Sequence, residues 1–133
     1  MPHMKLIRPL STRGLLAIHQ ELQARYGGHS REVDTTKLEL ALLRAVKFAA
    51  DGKRDMRARL AAGYAWALLK VRPFAEGNER TALAAMVVCL EMSRLEWKCG
   101  EVEETAMVLR AAAGHMKEKE WEAWVVGKVG KLT

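Results

Sequence analysis

The chain has 133 residues, of which 50% are hydrophobic and 29% are charged, and its net charge is +6. This length suits a single domain over 1–133 that can bury a core without disulfides or metal, and no apolar run is long enough to span a membrane. The two cysteines have no zinc-binding spacing, no signal peptide is visible, and the scattered basic residues lack interleaved aromatics, so we expect a reduced, cytoplasmic protein without nucleic acid as its partner.

The first predicted element is a helix near the N-terminus. We expect Met1–Met4 to be partly a cloning remnant, with the natural start at the second methionine. Apolar residues then recur at three- and four-residue steps, which predicts a helix capped by Ser11 or Thr12. Gly27 should end it, because glycine tolerates the left-handed backbone found at helix C-termini.

Two further helices are predicted before the middle of the chain. Thr36 and Glu39 have the spacing of a capping box, so a second helix should start there. The polar stretch 48–56 is expected to form a loop or a short hairpin. A third helix is predicted over about 57–70, and Pro73 should end it because the residue before a proline is disfavoured in the helical conformation.

The second half of the chain is also predicted to be helical. A fourth helix should cover about 79–94, and its centre is apolar all round, so it should be buried together with Cys89. Glu101 favours the positive end of a fifth helix. The expected buried face of that helix consists of Val102, Ala106, Leu109 and Ala113. With a last helix that carries two tryptophans, the prediction is an all-α, compact bundle of about six helices, whose buried central helix follows the loop at 72–78.

That loop has the residues of an anion site. It delivers the chain to a helix N-terminus, where free backbone N–H groups and the positive dipole end bind phosphate. Gly77 allows a ligand to approach the backbone, and Arg80 in the first turn is explained by an anion held beside it. Glu76 could carry a magnesium ion that bridges to phosphates. A plain corner between two helices remains the alternative.

The stretch PFAEGNERTA, 73–82, resembles the central motif of the Fic/Doc family, whose general form is H-x-F-x-[D/E]-G-N-x-R. The matching residues are Phe74, Glu76, Gly77, Asn78, Arg80, Thr81 and Ala82. Three further segments resemble the Doc branch of the family, namely 15–28, 38–45 and 94–125. The resemblance therefore covers nearly the whole chain in the right order.

The resemblance implies a Fido-type helical fold and transfer of part of a nucleotide, from ATP with Mg²⁺, to a hydroxyl of a target protein. Doc toxins phosphorylate a threonine of elongation factor Tu and are blocked by a small antitoxin, Phd. By position, Glu76 would be the magnesium ligand. The nucleotide-binding residues would be Gly77, Asn78, Glu79 and Arg80.

Two positions depart from the family pattern. Arg72 stands where the motif histidine would accept a proton, and a guanidinium has no lone pair to act as that base. Glu79 replaces the usual lysine or glycine, and its carboxylate repels an incoming triphosphate unless a metal intervenes. We expect Arg72 to pair with Glu76 or Glu79. Rescue by a histidine elsewhere in the chain is not expected, since His19, His29 and His115 lie outside the motif.

Two alternatives to an impaired Doc-like toxin stay open. One is a pseudoenzyme that keeps the fold as a binding module for a protein or nucleotide. The other is an inactivating change introduced at Arg72, which Glu79 argues against because one change would suffice. The family's internal inhibitory motif is absent, since the nearest match, Thr35–Glu39, is followed by Leu40. Inhibition is therefore expected from a partner chain near the first helix and the motif.

Overall fold

The computed structural model describes residues 10–51 and 54–131, so Met1–Met4 lies outside the described part. The helices are α1 (Thr12–Tyr26), α2 (Thr35–Val46), α3 (Met56–Val71), α4 (Asn78–Met92), α5 (Glu101–Ala112) and α6 (Glu118–Gly127), with a 3₁₀ helix at Lys47–Ala49. Two strands, β1 (Leu95–Trp97) and β2 (Val129–Lys131), pair antiparallel, with Glu96 opposite Gly130. The predicted all-α bundle is confirmed, and the added sheet is too short to leave an alternating pattern.

The start of α1 agrees with the prediction, whereas the start of α2 does not. The Ser11 hydroxyl accepts the Gly14 N–H at 2.9 Å. The capping box expected at Thr36 is wrong, because Asp34 is the cap and its carboxylate accepts the Lys37 N–H at 3.0 Å. An extended aspartate reaches the third N–H of a helix readily, and this places Thr36 inside the first turn. The described part of the 48–56 stretch contains no hairpin.

The centre of the bundle is shared by α3 and α4. The predicted burial of α4 is confirmed, and Cys89 is buried within it. More of α3 is buried, because α2, α4, α5 and α6 all pack against it. Its buried residues are mostly small, which lets the neighbouring helices approach closely. Among the described helices, none combines the length and the apolar character needed to cross a lipid bilayer.

The predicted buried face of α5 is wrong. Val102 is 88% exposed and Leu109 is 56% exposed, and Ala106 and Ala113 are also exposed. The helix contacts the core through Val108 and Ala111 instead. Two acceptors fix this rotation, since Glu103 binds the indole N–H of Trp124 and Glu104 binds that of Trp97, each at 2.7 Å. Apolar residues occur on both sides of α5, so periodicity alone could not select the inner side.

The closest approach of α2 and α3 is at Gly63. A Cβ atom there would lie 2.5 Å from the Ala45 carbonyl oxygen and 2.9 Å from the Phe48 ring. Gly63→Ala is therefore expected to lower the free energy of unfolding by about 1–3 kcal/mol, as overpacking usually does, when measured by urea denaturation. Gly127→Ala is the matched control, because a Cβ atom there meets nothing within 4 Å. Equal stability of the two variants would contradict the close approach.

Candidate functional site at the start of α4

Arg72 ends α3 in an unusual backbone conformation. Its φ of 52° lies in the left-handed region, and its N–H donates to the Leu68 carbonyl at 3.0 Å. A residue with a Cβ atom in that region costs roughly 1–2 kcal/mol. Pro73 follows and cannot continue the helix. The predicted end of the third helix is thus confirmed, and residues 72–77 connect it to α4.

The side chain of Arg72 pairs with Glu79 at the N-terminal end of α4, which we call the mouth of α4. Its Nη1 donates to Glu79 Oε1 at 3.2 Å. The predicted pairing with a motif carboxylate is confirmed, and Glu79 rather than Glu76 is the partner. Both side chains are more than a third exposed, and such pairs contribute at most about 1 kcal/mol. The pair can therefore open for a ligand at little cost.

Asn78 closes the motif loop from inside. Its side chain is buried, Oδ1 accepts the Phe74 N–H at 3.1 Å, and Nδ2 donates to the Phe74 carbonyl at 2.8 Å. The amide therefore has both of its functional groups bonded to one backbone position. Contact between this side chain and a phosphate stays a prediction, and it would require these bonds to break.

The Glu76 carboxylate is held by the segment after α1. Its Oε1 accepts the Ser30 N–H and the Gln23 amide, both at 2.7 Å, and also the His29 N–H. The N–H groups of Ser30 and then His29 hold the pKa of Glu76 below its usual value, outweighing desolvation. Its role as a magnesium ligand stays a prediction. Nowhere in the described residues do three His, Cys, Asp or Glu side chains group as a metal site.

Gly77 precedes α4 in a left-handed backbone conformation. Its φ is 83°, and no side chain caps the helix that it precedes. The first-turn N–H groups of α4 thus lack the partner that a capping residue would give, so they suit a phosphate oxygen. A Cβ atom at Gly77 would lie 2.7 Å from Gln23 Oε1, so the position also needs glycine for space.

Arg80 lies on the outer side of the mouth. Its guanidinium carbon is 4.5 Å from the centre of the Tyr26 ring, in a cation–π contact. Tyr26 is 59% exposed, so it supports Arg80 at the surface instead of filling the core. Binding of phosphate by Arg80 stays a prediction.

His19 fixes the motif loop against α1. Its ring stacks on Phe74, with 3.9 Å between centroids, and its Nε2 lies 2.9 Å from the Glu76 carbonyl oxygen. A carbonyl oxygen only accepts, so Nε2 carries the hydrogen in this bond. His19 is 1% exposed, so its ring lies in the core. His29 contributes its backbone N–H to Glu76, and His115 is exposed on the turn after α5.

Sequence reasoning missed Gln23 and the segment before α2. Gln23 is buried and donates both to Glu76 and to the Ser30 carbonyl, at 2.7 Å each. Its spacing of four from His19 could have indicated a polar pair on the inner face of α1. The segment before α2 pairs with the loop through the Asp34 N–H, which donates to the Pro73 carbonyl at 2.8 Å.

Removing the charge of Glu76 should change the pH dependence of stability. The folded pKa lies below the ordinary value of 4.5, so the stabilisation is complete above that value and is lost as pH falls through the folded pKa. Glu76→Gln should therefore be less stable than wild type at pH 7, and this deficit should narrow below about pH 4.5 in urea titrations. Glu32→Gln, at an exposed carboxylate, is the control. A deficit that stays constant with pH would contradict the bonds to the charged form.

The model of the Fic/DOC family matches residues 9–90, which is more than half of the chain. The matched region contains α1 to α3, the motif loop and most of α4. No curated protein is similar enough to count as a relative. On the family match and the helical fold that carries the motif, the chain belongs to the Fic/DOC family.

Proposed function

We propose that the chain is a Doc-like toxin of a toxin–antitoxin module, with a nucleotide-dependent transferase scaffold whose catalysis is impaired. The reaction would move a phosphoryl or AMP group from ATP to a Ser or Thr hydroxyl of a target protein such as elongation factor Tu. The observation that carries the impairment is the Arg72–Glu79 pair, which occupies the place of the family's base.

The attacking hydroxyl must lose its proton, and among the described residues the mouth of α4 offers no unpaired group for that step. The guanidinium of Arg72 stays protonated and cannot accept a proton. The nearest histidine of the motif network, His19, is buried and has its Nε2 directed at the Glu76 carbonyl. A missing general base lowers a rate by about 10²–10⁴-fold.

The residues fit ATP and Mg²⁺ only in part. The first-turn backbone of α4 suits phosphate oxygens, and the left-handed Gly77 gives them access. Magnesium would polarise the phosphoryl group and would be held by Glu76, whose carboxylate is ionised. In the present arrangement Glu76 is bonded to the segment after α1, and Glu79 to Arg72. Ligand binding would thus exchange these internal partners for phosphate and metal.

The expected partners are a Phd-like antitoxin and a protein target, in the cytoplasm. Support for an inhibitor on a second chain comes from α2, where Thr35–Glu39 forms the first helical turns behind the Asp34 cap. These residues serve as a helix start and do not match an internal inhibitory motif, because Leu40 follows them. A depression of about 540 Å³ beside Arg72, Phe74 and Glu32 gives a partner access to the mouth.

The second candidate function is a pseudoenzyme that binds a protein or nucleotide without turnover. The side chains of Arg72, Glu76, Asn78 and Glu79 all have partners within the chain, which favours this alternative. Internal partners of this kind stabilise a mouth that binds no nucleotide. Calorimetry with ATP, with and without Mg²⁺, separates a nucleotide-binding module from one that binds protein only.

Restoring the family residues should restore transfer. Labelled ATP and elongation factor Tu are incubated with wild type, Arg72→His, and the double variant Arg72→His, Glu79→Lys. We expect the double variant to label its target at least about 100-fold faster than wild type, because it regains a base and loses the carboxylate that repels phosphate. Arg13→His is the control, since it adds a histidine on the exposed start of α1.

Efficient transfer by wild type would overturn the impaired-catalysis proposal. Failure of the double variant, when calorimetry shows that it binds ATP, would instead point to another target protein. Failure of both transfer and ATP binding would favour the protein-only binding module.

A further inference from the structure

A second cavity lies between α2 and α6, on the outer side of α3. Its volume is about 560 Å³, and no residue of the motif loop lines it. This size is within the range of small-molecule sites. One wall comes from α2 and the 3₁₀ helix, the floor from α3 with Trp66, and the other wall from the start of α6. We call this cavity the α2–α6 groove.

Charge distinguishes the α2–α6 groove from an ordinary surface depression. Five cationic side chains line it, Arg44, Lys47, Arg59, Lys70 and Lys119. Three carboxylates also line it, Asp51, Glu118 and Glu122. Arg59 and Asp51 neutralise each other through two bonds of 2.7 and 3.1 Å. Cations therefore remain in excess once that pair is set aside.

Three of these cations have no internal partner. The side chains of Arg44, Lys47 and Lys119 make no hydrogen bond or ion pair with any residue in the described ranges 10–51 and 54–131. Arg44 and Lys47 are three positions apart, so they lie on one side of α2 and its 3₁₀ extension. Lys119 stands on the opposite wall. An anion between the walls would meet positive charge from both sides.

The floor adds a fourth cation in a fixed position. The Lys70 ammonium donates to the Ala111 carbonyl at 2.5 Å and lies 4.3 Å from the centre of the Trp66 ring. Neither partner carries a negative charge, so the ammonium keeps its full charge toward the groove. Because the Lys70 ammonium covers the Trp66 ring, a nucleotide base cannot stack on that face of the indole.

We propose that the α2–α6 groove binds a small polyanion with several phosphate groups, such as a free polyphosphate or the phosphate tail of a nucleotide. Cations on both walls and the floor favour a ligand with several anionic oxygens along its length. The guanidinium of Arg44 can bind two phosphate oxygens at once. The site is independent of the motif and of the proposed transferase function.

The acidic residues of α6 oppose anion binding in the α2–α6 groove. Glu118 and Glu122 share one side of the helix and face the same groove as the cations. Each repels a bound anion, so they weaken binding and restrict it to ligands of high charge density. Glu122→Gln should therefore bind a polyphosphate several-fold more tightly than wild type.

The test uses inorganic tripolyphosphate and isothermal calorimetry on the full chain. The double variant Arg44→Gln, Lys47→Gln should bind at least about tenfold more weakly, since charge-assisted hydrogen bonds are lost. The matched control is Arg13→Gln, Arg25→Gln, which removes the same charge from exposed positions of α1. Circular dichroism checks that both variants fold. If tripolyphosphate binding were weakened equally in both variants, the loss would be due to net charge alone, and the proposal would be overturned.

Nuclear magnetic resonance then locates the ligand. Tripolyphosphate should shift the indole N–H signal of Trp66, whether or not binding at the motif also shifts the Gly77 amide. ATP should shift the Trp66 signal too if a nucleotide tail suffices, whereas AMP should not. Shifts at Gly77 alone would assign the binding to the motif and overturn the groove site. A polyglutamate peptide that binds more tightly than tripolyphosphate, and is lost in the Arg44→Gln, Lys47→Gln variant, would overturn the polyphosphate assignment in favour of an acidic partner.

Discussion

The candidate site depends on one buried side-chain amide. Asn78 binds both backbone polar groups of Phe74, so residues 74–78 of the connection between α3 and α4 are closed into a fixed turn. An unpaired backbone group in such a buried place would cost about 1–3 kcal/mol. This turn fixes the position of Gly77. It thereby also fixes the direction in which the first N–H groups of α4 point. Asn78, which the family resemblance assigns to phosphate binding, is thus also the residue that fixes the conformation of the loop.

A second layer ties the motif loop to α1. His19 stacks on Phe74 and Gln23 binds Glu76, so the inner face of the first helix is polar where it meets the loop. Both side chains are buried, and burial of such groups is tolerated only with partners in place. The loop and α1 therefore form one unit, and a chain that binds α1 can alter the geometry of Glu76 without touching the mouth itself.

The sequence was sufficient for the helices and for the local chemistry of the motif. Charge and proximity in sequence predicted that Arg72 pairs with Glu76 or Glu79, and the structure selects Glu79. The sequence did not predict the contacts between segments that are distant along the chain. The rotation of α5 depends on Glu103, which accepts from Trp124 on α6, and on Glu104, which accepts from Trp97 on β1. Gln23 belongs to a residue type that is mostly exposed, and its burial depends on its contact with the motif loop. Hydrophobic periodicity carries no information on such partners.

The left-handed backbone of Arg72 limits which residues position 72 can hold. β-Branched residues are strained there, while asparagine, aspartate and histidine are the side chains found most often in that region besides glycine. The backbone at this corner therefore has a conformation that accommodates histidine as well as the arginine present. Exchange of Arg72 for histidine would therefore change one side chain without rebuilding the loop.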